Sequence, residues 1–220
     1  MKRISLAGTV LCLACVIPAI SYASHPPDNK EWQYWNEFVF AHEFSERWNM
    51  EISLEQNLFN DFRDFDLYNV QVRPFYETGP IAFGLEYRYE REREDGQWAT
   101  EHRYAAILVL KHEWADWRFK LTTTPEFRDV EGDDNWRWRE KIKIAKPVRI
   151  GRTEATPWLS EEVFYSFDDE EIGQNRVAVG ITKELFWGIE GTPFYLNRTD
   201  KEDDGWLSTH VLGTEFALEF

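Results

Sequence analysis

The stretch VLGTEFALEF, residues 211–220, closes the chain and alternates to its last residue. On a strand, Leu212, Thr214, Phe216, Leu218 and Phe220 share one face, and Gly213, Glu215, Ala217 and Glu219 share the other. Chain ends ordinarily fray, so an aromatic in the final position is unusual. An apolar face kept up to residue 220 needs a cover that reaches equally far.

The same period extends back through the chain. In WNMEISLEQNLF (48–59), Trp48, Met50, Ile52 and Leu54 oppose Glu51, Ser53 and Glu55. In IAFGLEYRYERE (81–92), Phe83, Leu85, Tyr87 and Tyr89 oppose Glu86, Arg88 and Glu90. In NWRWREKIKIAK (135–146), Trp136, Trp138, Ile142 and Ile144 oppose Arg137, Arg139, Lys141 and Lys143. About eleven such segments of roughly 11–15 residues follow one another, the length of a tilted membrane strand with its overhang. No helical period persists.

Two further features separate this pattern from a soluble sandwich with its apolar face inward. Short connections near 45–46, 78–80, 115–116, 148–152 and 187–188 alternate with longer ones: NDFRDF, REREDGQW, DVEGDDN, DDEEIGQ and TDKEDDG, all acidic. Short turns at one end and longer loops at the other characterise outer-membrane barrels. Trp48, Trp114, Trp117, Trp158 and Trp187 lie near the short-turn ends; Trp98, Trp136, Trp138 and Trp206 lie near the other. Two aromatic belts are what membrane–water interfaces select.

The N-terminus agrees. Lys2 and Arg3 precede an apolar run to about Ile20, then Ser21-Tyr22-Ala23. A basic start, an apolar run and a small-x-small site predict a signal peptide cleaved after Ala23. Cys12 and Cys15 would leave with it. The formal charge would fall from −15 to −17 with loss of Lys2 and Arg3, which argues against a nucleic-acid partner. Mean hydropathy is −0.57, which conventional hydropathy would class as soluble. A barrel crosses with alternating strands and escapes that measure.

The expectation is an all-β, antiparallel transmembrane barrel over residues 24–220, of twelve strands, with ten as the alternative. Counted back from a periplasmic Phe220, residues 47–220 give about ten strands, leaving segment 31–44 as one too many for an even barrel. Glu140 falls on the lipid side, which suggests a bulge that shifts its register. Pro74, Pro125 and Pro193 lie in or near strands that have no free edge. Segment 157–167 reads equally well in either register.

QVRPFYETGPIAFGLEYRYERE (71–92), TEHRYAAI (100–107), LSEEVFYSF (159–167) and NRVAVGITKEL (175–185) carry a resemblance. With an early Trp (Trp32 or Trp35), Arg73-Pro74, Glu101-His102-Arg103, Glu161 to Phe164 and Asn175 to Gly180, the chain resembles an uncharacterised bacterial family of outer-membrane barrels, domain of unknown function 2490. The resemblance implies a fold and a place in the outer membrane, and no activity. The tail Phe216, Leu218, Phe220 also resembles the C-terminal signal by which the barrel-assembly machinery recognises its clients.

Inward positions would hold Glu51, Glu55, Arg73, Glu86, Arg88, Glu101, Arg103, Arg118, Lys120, Arg137, Arg139, Lys141, Lys143, Glu162 and Arg176. Acids concentrate in 51–101 and bases in 111–143, two arcs that would face each other across a narrow barrel. They would form a closed ion-pair network, because lone buried charges are costly, or a pore with a basic wall for small anions or acidic sugars. The chemistry expected is non-catalytic, without cofactor or metal site. The alternative is a lipid-facing hydrolase using Ser208 and His210, with Asn36 and His42 on the segment that closes against them. The acidic loops lack calcium-loop spacing and read as a solvated rim, with shared cations to lipopolysaccharide phosphates as a further option.

Overall fold

The structure, a computed structural model, describes residues 32–220 except 60, 95, 152 and 203–204. The expected signal peptide, residues 1–23, lies outside the described residues. The described residues form strands and turns without a helix. In chain order the strands are β1 (Trp32–Ser45), β2 (Trp48–Phe59), β3 (Asp64–Thr78), β4 (Ile81–Glu94), β5 (Gln97–Trp114), β6 (Trp117–Val130), β7 (Asp133–Ala145), β8 (Val148–Ile150), β9 (Thr153–Ser166), β10 (Glu171–Glu184), β11 (Ile189–Glu202) and β12 (Gly205–Glu219).

Twelve strands are present, and eleven of them close a barrel. Each pairs antiparallel with its sequence neighbours, except that β7 pairs directly with β9. The three-residue β8 only folds back on the start of β9, opposite Ala155, Glu154 and Thr153. Segment 31–44, the odd segment of the parity count, is β1, a full-length stave. Eleven staves running up and down leave the first and last pointing the same way, so β1 closes against β12 in parallel, from Trp32↔His210 to Ala41↔Glu219.

Parallel pairing is slightly weaker per residue, and this seam is reinforced by side chains on its outer face. Phe38 stacks on Phe216 at 5.7 Å and Trp32 on His210 at 5.0 Å. The Tyr34 hydroxyl donates to Thr214 Oγ1 at 2.7 Å, which donates to Asn36 Oδ1 at 2.9 Å. The Phe220 amide donates to the Ala41 carbonyl at 3.0 Å, and His42 Nδ1–H donates to the Phe220 main-chain oxygen at 2.5 Å. Alternation continues to the last residue because pairing does too, as closure requires where backbone groups have no water to turn to.

The expected contrast between short turns and long loops is not found. REREDGQW, DVEGDDN and TDKEDDG belong mostly to strands, separated by residues 95–96, 131–132 and 203–204. Glu131 and Gly132 both have positive φ, 54° and 95°, as tight type I′ hairpin turns require. Their acidic residues continue the strand ladder beyond the apolar belt. The two ends of the barrel are therefore distinguished by charge and by Phe220, and are called here the acidic end and the Phe220 end.

The three prolines sit where one ladder is interrupted. Pro74 pairs with Met50 of β2, but pairing is interrupted toward β4 between Val72↔Tyr87 and Phe75↔Gly84, with the register unchanged on either side. Pro125 faces Trp138 across an intact β6–β7 ladder, with the gap on the β5 side. Pro193 pairs with Thr214, with the gap toward β10. A missing N–H is tolerated because only one neighbour loses its bond.

Glu140 needs no bulge. It lies in regular register on the outer face, where Thr123 Oγ1 donates to both its oxygens at 3.0 and 2.8 Å and Trp138 Nε1 donates at 3.2 Å. Segment 157–167 has one register: Trp158, Ser160, Glu162 and Phe164 point inward. Trp158, expected in an aromatic belt, therefore lines the lumen, its ring lying over Gly180, which has no Cβ to exclude it.

Candidate functional site: the charged lumen

Side chains divide by face in the opposite sense to a soluble protein. Glu126 is 0% exposed, and Glu86, Glu90, Glu101, Arg103 and Glu162 are buried inside the barrel. Leu85 is 63% exposed on the outside, with Leu54, Phe83, Leu159, Val179, Ile181 and Leu212 also uncovered. The outer rims carry Trp48, Trp114, Trp117 and Trp187 at the Phe220 end and Trp136 and Trp138 toward the acidic end.

The interior holds one elongated cavity of about 1240 Å³. Its lining runs from Glu92, Asp168 and Asp200 near the acidic end to Ala41, Glu184 and Glu219 near the other. Between them, the arc β4–β9 supplies a dense set of charges.

In the acidic-end half these charges are paired both within strands and between neighbouring ones. Arg137 Nη2 lies 2.7 Å and Arg139 Nη1 3.1 Å from the two oxygens of Glu126. Arg139 Nε reaches Glu162 at 3.3 Å. Glu101 is shared by Arg103 at 2.7 Å and Arg128 at 2.6 Å. Arg88 lies 3.4 Å from Glu90 and 3.8 Å from Glu86, and Arg103 also reaches Glu90 at 3.7 Å. Phe164 sits between the guanidinium groups of Arg137 and Arg176, each 4.7 Å from its ring centre, and Arg176 also lies 5.2 Å from the Trp35 ring. Stacked guanidinium on aromatic faces is favourable where water is scarce.

The Phe220-end half differs. Arg73 reaches Glu51 at 3.3 Å and Glu37 at 3.9 Å. Lys111 reaches Glu77 at 2.7 Å, and Lys141 reaches Glu162 at 3.7 Å. Lys120 and Lys143 form no ion pair among the described residues; Lys143 Nζ lies 4.3 Å from the Trp158 ring centre. Lys120 is directly opposite Lys111 on one side and Lys143 on the other.

Among the described residues no direct ion pair crosses the barrel between the two arcs read from sequence; Glu86 acts on Arg139, and Glu51 on Lys120, only at longer range. Glu86 and Glu90 serve Arg88 and Arg103; Glu55 accepts from Asn57 and Asn69 at 2.9 and 2.8 Å. The basic arc is held by Glu126 and Glu162, on its own and adjacent strands, with Glu101 on Arg128 and Glu77 on Lys111. Arg118, counted among the inward charges, lies at the barrel mouth and pairs at 3.7 Å with Glu113, both well exposed, because it is only the second residue of β6. Glu126 was legible as an inward residue but its central place was not. Counting back from the Glu131-Gly132 turn would have set it opposite Arg137.

The residues of the hydrolase alternative are not assembled. Ser208 Oγ accepts from Asn197 Nδ2 at 2.7 Å, and His210 Nδ1 lies 2.7 Å from the Tyr195 hydroxyl. Asn36 belongs to the Tyr34–Thr214 chain, and His42 is bound to Phe220. Each group has a different partner, and none polarises another.

A family model described as protein of unknown function (DUF2490) matches residues 32–209, from the first described strand into the last. The chain belongs to this family. Among solved structures, an anion-selective porin from Comamonas acidovorans is similar with a TM-score of 0.40 and 12% identity, over 78% of this chain and 54% of the porin. The chain thus spans about half the length of that porin. No curated protein matches the chain.

Proposed function

We propose that this family member is a non-catalytic outer-membrane barrel that forms a narrow, charged aqueous passage. The observation that carries the reading is the inverted distribution of side chains. Apolar residues such as Leu85, Phe83 and Val179 are uncovered outside, while Glu126, Glu101 and Arg103 are enclosed. A soluble monomer rarely exposes more than a few hundred Å² of contiguous apolar surface. Around this barrel such residues recur on the outer face between two aromatic rims, which suits a hydrocarbon layer.

Several other features fit. The N-terminal leader pattern would deliver the chain across the inner membrane, and Phe216, Leu218 and Phe220 would present it to the barrel-assembly machinery. Lipid and lipopolysaccharide are then its surroundings, with the acidic end outward if Phe220 is periplasmic. The lumen cavity has lining residues near both ends, which supports a route for water and small ions over a fully plugged wall.

The test is fractionation followed by planar-bilayer recording of the purified mature chain. Recovery in the outer membrane, heat-dependent migration on gels and steady single-channel steps are expected. Recovery as a soluble periplasmic protein would overturn the location, and a folded barrel that stays silent would overturn the passage.

A further inference from the structure

We infer that Lys120 and Lys143, flanked by Lys111 and Lys141, form a binding site for a multivalent oxyanion of the phosphate class in the Phe220-end half of the lumen. The inference rests on reading the lumen as water-filled, and it adds a ligand class and a location to that reading.

The first observation is the register. Lys111, Lys120 and Lys143 stand directly opposite one another across β5, β6 and β7, all inward, with Lys141 one inward position along. Cβ atoms of directly opposed residues are about 5 Å apart, and like charges there repel. One pairing of the same kind, Glu126↔Arg137, is of opposite charges, so the chain does place carboxylates where it neutralises this wall. Lys111 and Lys141 have Glu77 and Glu162 within reach, but no carboxylate is placed in this way for Lys120 or Lys143 among the described residues.

The second is the surroundings of each ammonium. The charges acting on Lys120 include Glu51 and Glu77 in attraction and Lys141, Lys111 and Arg73 in repulsion. Those acting on Lys143 are Glu215 and Glu190 in attraction and Lys141 and Lys120 in repulsion. None of these carboxylates forms an ion pair with Lys120 or Lys143; Glu190 and Glu215 stand on β11 and β12, away from the lysine wall. Lys111 and Lys141 are 45% and 43% exposed although their positions face the barrel interior, so each keeps donors beyond its one carboxylate partner. Lys120, Lys141 and Lys143 line the cavity itself.

The third is chemistry. A lysine ammonium is a mobile point charge with three donors, and a row of them can close on an anion from several directions. A monovalent ion relieves one ammonium. A phosphate group, with three or four oxygens and close to two charges, spans two or three neighbours at this spacing. Lys143 over the Trp158 ring provides a reporter: an oxyanion that draws the ammonium away changes the environment of that indole.

The experiment is calorimetric titration of the detergent-folded barrel with pyrophosphate, inorganic phosphate and glucose 6-phosphate, beside sodium chloride at matched ionic strength. Saturable pyrophosphate binding is expected, weakened about tenfold by Lys120→Gln and again by Lys143→Gln, since each removes a charge-assisted contact. Arg149→Gln, on the exposed short strand β8, should bind as the parent does. Binding by inorganic phosphate alone identifies the free ion, and tighter binding of the ester identifies a phosphorylated solute. Trp158 fluorescence should follow the same isotherm and lose its response in Trp158→Phe. No saturable heat, an equal response to chloride, undiminished binding in the double variant, or an equal loss in Arg149→Gln each overturns the site. A barrel that binds pyrophosphate but conducts nothing defeats the passage and keeps the site; one that conducts but does not bind it defeats only the site.

Discussion

The two halves of the lumen carry cations on the same strands and treat them differently. Toward the acidic end the cations are arginines, and every carboxylate oxygen of Glu126 and Glu101 lies near a guanidinium. Toward Phe220 they are mainly lysines, two of them without an ion pair among the described residues. A guanidinium is a rigid fork suited to fixed, bidentate pairing, whereas an ammonium on a flexible stem tolerates exchange of partners. The first half is organised as a packed wall and the second, on the proposed reading of an aqueous lumen, as a wet one, so equivalent substitutions should have opposite consequences.

The largest effect is expected at Glu126. It is fully enclosed, and Glu126→Gln leaves Arg137 without an ion pair and Arg139 with that to Glu162, among the described residues. Breaking a buried pair from one side costs about 3–5 kcal/mol. Urea unfolding in lipid vesicles should register this loss. A variant as stable as the parent would mean that this half is hydrated too, and the contrast would disappear.

The outer wall comes next. Leu85→Arg and Leu54→Arg place a cation against hydrocarbon and should cost about 2–4 kcal/mol near the midplane. Thr122→Arg enters the cavity beside Lys120 and should cost less. Ser53, although inward, is 0% exposed and has no room for an arginine, so the inner face is not uniformly lenient. Equal costs at Leu85 and Thr122 would remove the distinction between faces.

These assignments separate what the sequence carries locally from what it does not. A period of two puts Leu85 outside and Glu86 inside without knowledge of neighbours, and that is why the face of nearly every stave was legible. Partnership is a property of register between strands. The hairpin turns hold that information, as at Glu131-Gly132, but the acidic stretches around them looked like loops and hid it. The parallel β1–β12 seam joins residues about 178 apart in the chain, and no local pattern encodes it. Trp158 shows the remaining limit: in a stretch where both faces mix apolar and polar residues, only Gly180 across the sheet decides which way the indole turns.

A smaller effect is expected at the seam. Removing Phe220 deletes its amide bond to Ala41 and the bond from His42. At about 1 kcal/mol for each net hydrogen bond, equilibrium stability should fall by about 1–2 kcal/mol. Refolding into vesicles, followed by gel mobility, should slow more than this loss implies if the tail also serves recognition. Unchanged stability and rate would show that the seam is closed without its last residue, by the Trp32–Ala41 ladder and its side-chain contacts.

The smallest effect has the opposite sign. Lys120 sits between Lys111 and Lys143, so Lys120→Gln removes two direct like-charge contacts. Cross-strand charge contacts are worth roughly 0.2–1 kcal/mol, and the variant should gain stability within that range when no oxyanion is present. Salt makes the attribution testable. Raising ionic strength to about 1 M shortens the screening length to about 3 Å, less than the spacing of the lysine stems, and should stabilise the parent by relieving the row. The chain's net charge of −15 means that salt relieves other repulsions as well. The informative quantity is therefore the difference between parent and variant, which should shrink toward zero as chloride is added. In phosphate it should shrink at far lower concentration and then reverse, because the parent alone retains the full set of ammonium groups that hold the anion. A gain that persists unchanged in both salts would mean that the lysines do not repel one another, and the wet half would then be no different in kind from the packed one.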